Sequence, residues 1–129
     1  MGLDMYIVKK DKAAGPLSDE NYDDSNDVAY WRKFNALHGW FVEHIQDGVD
    51  DCGIYEVTKE QLFDLLEVLE EAYALKDASK LPPTSGFFFG SYEVDQWYWD
   101  KVASARDTIS SLIDDTDWEK YKLYYFASW

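Results

Sequence analysis

The chain has 129 residues, 47% apolar and 18% aromatic, with 26 acids against 12 Lys and Arg for a net charge of −14. That length suits one domain with its own hydrophobic core, and the aromatic content argues against global disorder. The charge argues against generic binding to nucleic-acid backbones or anionic membranes, since both demand a basic surface.

Cys52 is the single cysteine, so no disulfide forms within the chain, which fits a reducing, cytoplasmic setting. The Met1–Asp4 start has no basic region leading into an apolar run, so no signal peptide is expected. No apolar run approaches the roughly eighteen residues of a membrane span. Met1-Gly2 invites a myristoylation reading, but Tyr6 stands where that motif needs Ser or Thr.

In chain order, Leu3, Met5 and Ile7 alternate with Asp4, Tyr6 and Val8, which predicts a strand over 3–8 with one face more buried. Residues 9–27 read as a long polar, acidic loop. A first helix is expected over 28–45, capped by Asn26 or Asp27. Tyr30, Phe34, Leu37 and Phe41 would form its core stripe, with Trp31, Asn35, His38 and Val42 beside it. An acidic turn over 46–53 and a short strand over 54–57 follow. Thr58-Lys59-Glu60-Gln61 matches a capping box and predicts a second helix over 59–75. Its buried stripe is Leu62, Leu65, Leu66, Leu69, Ala72 and Tyr73, and its solvated side carries Glu60, Asp64, Glu67, Glu70 and Glu71. A loop with Pro82-Pro83 leads to Gly86-Phe87-Phe88-Phe89-Gly90, a short buried strand or a tight loop. Ser91 can cap a third helix over 93–113, with Tyr98, Val102, Ala105, Ile109 and Leu112 inward. A final strand over 119–126 has two useful faces. Strands near both termini and three helices between them predict a small single α+β domain over 1–129, its helices packed on a short, mainly antiparallel sheet.

Phosphate-loop, dinucleotide-fold and serine-elbow glycine motifs are all missing. One Cys and two His cannot supply a four-ligand zinc site. Asp47, Asp50 and Asp51 resemble the start of a calcium loop, but Val49, Cys52 and Thr58 occupy positions that such a loop reserves for an acid, Gly and Glu. No metal or cofactor is therefore expected. His38 and Cys52 would make a nucleophile pair only if the fold joined them, and an enzymatic reading has the weakest support.

The candidate ligand-binding residues are Trp31, Arg32, Asn35 and His38, joined by Phe89, Ser91 and Tyr98. Arg32, next to Lys33, offers a planar fork for a carboxylate or phosphate, and Asn35 and His38, three apart on a helix, point to one place. Rings at Trp31 and Trp40 could stack on a flat ligand. The alternative is a polar core: Asn35 and His38 satisfying buried backbone groups while Arg32 and Lys33 pair with some of the acids.

Met1-Gly2-Leu3-Asp4-Met5-Tyr6, the run Tyr30 to His38 with Trp40-Phe41, Asp51-Cys52-Gly53-Ile54-Tyr55, and Gly86 to Ser91 with Trp97-Tyr98 span nearly the whole chain. These four ordered blocks resemble a family of small uncharacterised proteins common in bacteriophages and prophages. The resemblance implies a phage or prophage origin and action in the bacterial cytoplasm, and it transfers no catalytic residues. A phage setting also implies a protein partner, a host or defence factor, while the net charge of −14 argues against direct nucleic-acid or membrane contact and admits a version that mimics DNA charge. A small nucleotide-like ligand on the Arg32, Asn35 and His38 stripe is the competing expectation.

Overall fold

The computed structural model describes residues 3–83 and 94–129. Four strands and three helices follow the order β1 (Asp4–Asp11), β2 (Asp27–Arg32), α1 (Asn35–His44), β3 (Tyr55–Val57), α2 (Lys59–Leu75), α3 (Gln96–Asp115), β4 (Tyr121–Ser128). The sheet order is β2-β1-β4-β3, and every neighbouring pair is antiparallel. The N- and C-terminal strands pair along their full lengths, Asp4 opposite Ser128 and Asp11 opposite Tyr121.

Period-two alternation sets the two faces of this sheet. Met5 and Ile7 of β1, Ala29 and Trp31 of β2, Val57 of β3 and Leu123, Tyr125 and Ala127 of β4 all join the main core. The three helices pack on that face through Leu37 and Phe41 of α1, Leu62, Leu65 and Leu69 of α2, and Val102, Ala105 and Ile109 of α3. α2 follows its expected bounds because the capping box forms in full: Thr58 Oγ1 accepts from Gln61 N and Gln61 Oε1 accepts from Thr58 N. Its inward leucines alternate with exposed Glu60, Asp64, Glu67, Glu70 and Glu71.

Residues 28–45 depart from expectation. They do not form one helix: the first part is β2, and the helix begins only at Asn35. Tyr30 fits a helical stripe with Phe34 and Leu37, and Trp31 one with Asn35 and His38, but Val28-Ala29-Tyr30-Trp31 equally suits a strand. Pairing with β1 decides the matter, placing Ala29 opposite Ile7 and Trp31 opposite Met5 with both side chains inward. Lys33, at φ 55, then turns the chain from strand to helix. Tyr30 therefore leaves the core and is 52% exposed. Asn26 precedes β2 and Asp27 begins it, so neither caps a helix over 28–45.

Two smaller differences follow from side-chain chemistry. β1 continues to Asp11, so the loop spans 12–26, and it returns over the sheet with Leu17 buried and Tyr22 half-buried. α3 starts at Gln96, where the Asp95 carboxylate accepts from Tyr98 N. The Gly86–Gly90 run and the Ser91 cap lie outside the described residues.

Candidate functional site

The expected site residues go to four different places. Trp31 is buried under β2. Arg32, one residue on, stands exposed on the opposite face of the sheet. Asn35 and Tyr98 do meet: both line a cleft of about 270 Å³ with Lys33, Phe34, Trp97 and Lys101. Phe89 and Ser91 lie outside the described residues.

His38 is only 1% exposed and sits at the centre of a polar network in the core. Its Nε2 lies 2.9 Å from Asp50 Oδ1, and its Nδ1 lies 2.6 Å from the Tyr125 hydroxyl. A carboxylate only accepts, so Nε2 carries the proton and Nδ1 accepts from Tyr125. Burial lowers the His38 pKa despite the opposing pull of Asp50, and burial raises that of Tyr125 well above the usual phenol range. Asp50 also accepts from Trp129 Nε1 at 3.1 Å. The network thus ties α1, the 46–53 turn, β4 and the C-terminal residue together. Both ring nitrogens of His38 are committed, which leaves neither to take a proton from Cys52.

The 46–53 turn is built to present Asp50. Asp47 and Gly48 adopt φ 58 and 82, and the buried Gln46 side chain donates to Val49 O at 2.7 Å. Asp51 accepts from Gly53 N and from the Tyr55 hydroxyl, which lowers its carboxyl pKa, the tyrosine contact contributing most. These aspartates are engaged in holding the turn. Among the described residues no group of three or more His, Cys, Asp or Glu is disposed to hold a metal ion, and no helix is long and apolar enough to cross a membrane.

The face of the sheet away from the helices carries a second constellation, which single-segment periodicity did not reveal. Register places Tyr6 directly opposite Tyr30 on one side and Phe126 on the other. The Tyr6 and Phe126 rings stack at 4.8 Å, Tyr30 leans on Tyr6 at 5.2 Å, and Tyr22 from the 12–26 loop meets Phe126 edge-on at 5.2 Å. Each outer tyrosine holds a carboxylate beside the rings. Tyr30 donates to Asp4 Oδ1 at 2.5 Å, and Tyr22 donates to Asp27 Oδ1 at 2.7 Å. The bond to Asp4 is the main reason the Tyr30 pKa is raised, and burial is the main reason at Tyr22 and Tyr6. All three phenols stay protonated at neutral pH, and Tyr22 and Tyr30 donate to their carboxylates. The sequence signal was present in the outward residues of two strands expected at opposite ends of the chain, Tyr6 and Phe126.

No known protein-family model, curated protein or solved structure matches this chain.

Proposed function

We propose that this chain is a non-enzymatic binding protein that recognises a basic protein segment through the aromatic, carboxylate-rimmed face of its sheet. In the phage or prophage setting that its sequence resembles, the partner is a host or defence factor. The observation that carries this reading is the Tyr30–Tyr6–Phe126 row with Asp4 and Asp27 bonded at its edges. A ring face attracts an ammonium or guanidinium group, and a carboxylate beside it supplies the matching charge. The tyrosine hydroxyls hold both carboxylates in place, so little ordering remains to be done on binding. A net charge of −14 draws a basic partner from a distance.

An arginine-rich peptide tests the reading by titration calorimetry across a salt series. Binding is expected to weaken as salt rises. Tyr30→Ala removes one exposed ring and is expected to weaken binding by about two- to fivefold, the worth of an exposed cation–ring contact. Asp4→Asn is expected to act in the same direction. Equal affinity for an uncharged peptide of the same length, or an affinity indifferent to both substitutions, would overturn it.

A further inference from the structure

Half of the chain's 12 Lys and Arg gather at one end of the sheet: Lys9, Lys10, Lys12, Lys59, Lys120 and Lys122. The β1–β4 register sets Lys10 directly opposite Lys122, a like-charge pair that an antiparallel sheet disfavours. Lys9 and Lys120 lie over the ring of Tyr121 at 4.8 and 5.2 Å from its centroid. Two adjoining hollows share Lys12 and Lys122. One, of about 300 Å³, is completed by Lys10, Asp11, Gly15, Pro16 and Tyr124. The other, of about 240 Å³, includes Lys59, Trp118 and Tyr121.

The nearby acids, Asp11, Glu56, Glu60 and Asp117, offset the six lysines only in part. Asp11 accepts from Ala13 N, Glu56 is paired with Lys122 at 3.2 Å, and Glu60 stands at the rim in the first turn of α2. Among the described residues, Lys122 is the only one of the six lysines in an ion pair. Lys12 Nζ donates to Trp118 O at 2.6 Å, and Lys10, Lys12, Lys59 and Lys122 line open hollows in a chain with 26 acids available.

We infer that this end of the sheet is a binding site for a small ligand carrying two or more linked phosphate groups, held chiefly by Lys10, Lys12 and Lys122. The linked charges are what several separated ammonium groups can engage together. The acidic remainder of the molecule repels a long polyanion, so the fit is to a compact anion and not to a nucleic-acid strand. Lys10 and Lys122 lie on the same sheet face as the Tyr6 ring row, Lys10 about 13 Å from Tyr6 along β1, and the site stands independently of the peptide-binding reading.

The test is thermal stabilisation and calorimetry of the full chain at low ionic strength. Probes are sodium pyrophosphate, ATP, orthophosphate and a single-stranded oligonucleotide. Pyrophosphate and ATP are expected to raise the melting temperature more than orthophosphate does. ATP surpassing pyrophosphate would assign the phosphates to a nucleotide, and parity would assign them to the free anion. Lys10→Gln, which breaks no ion pair, is expected to weaken binding by about tenfold, the worth of one charge-assisted contact. Lys122→Gln should do at least as much, while Lys76→Gln, at the far end of α2, should change nothing. Absence of stabilisation, equal binding by Lys10→Gln and the parent, or tighter binding of the oligonucleotide than of pyrophosphate would overturn the inference.

Discussion

Replacing Tyr125 with Phe removes one oxygen from the centre of the fold and changes little else. The ring stacks on Phe41 at 3.9 Å and 7°, and that contact survives the substitution. What is lost is the hydroxyl that donates to His38 Nδ1 at 2.6 Å. The imidazole nitrogen is then left buried without this donor, which costs about 1–3 kcal/mol. For 129 residues, an unfolding entropy of about 2.1 cal/mol/K per residue makes each kcal/mol worth about 4 °C. The expected drop in melting temperature is therefore about 4–12 °C. Urea unfolding followed by tryptophan fluorescence should show a lower midpoint with an unchanged slope, because the surface exposed on unfolding is the same. A midpoint within error of the parent would refute the assignment of Tyr125 as the donor that satisfies His38.

The same network sets a pH dependence. The folded pKa of His38 is lowered by burial, and the unfolded value is near 6.5. Between those values the unfolded chain holds a proton that the folded chain lacks. Stability from this residue is thus intact above about pH 6.5 and falls on acidification by up to about 1.4 kcal/mol per pH unit. Urea midpoints for the parent and His38→Asn between pH 5 and 8 should show that slope in the parent and its loss in the variant. Thr58→Ala opens the capping box of α2 and should cost about 1 kcal/mol, with most of it restored by Thr58→Ser; an unchanged urea midpoint would mean the box is not holding the helix.

What the sequence made legible was local. The capping box at Thr58 and the leucine spacing beyond it defined α2, since each signal resides within a few residues. β4 was visible as a strand with two useful faces, and Leu123 and Tyr125 point into the core while Phe126 faces outward. The 28–32 stretch was misread because aromatic residues there satisfy both periods, and only its pairing with β1 separates them. The candidate residues were dispersed for the same reason. A helix through Trp31, Asn35 and His38 would have aligned them, whereas the turn at Lys33 leaves Trp31 on the sheet and carries Asn35 and His38 onto α1. His38 was singled out, and the partners that engage it lie 12 and 87 residues away in sequence. The Tyr6 ring row and the lysine cluster depend likewise on the register of the terminal strands, which no single segment encodes.

The central claim is that the ring-and-carboxylate face of the sheet is the binding surface of this acidic molecule. Chemical-shift mapping of the labelled protein during titration with an arginine-rich peptide tests it most directly. The account predicts the largest perturbations at Asp4, Tyr6, Tyr30 and Phe126. Perturbations concentrated along Glu60, Asp64, Glu67 and Glu71 of α2, with the sheet face silent, would contradict it.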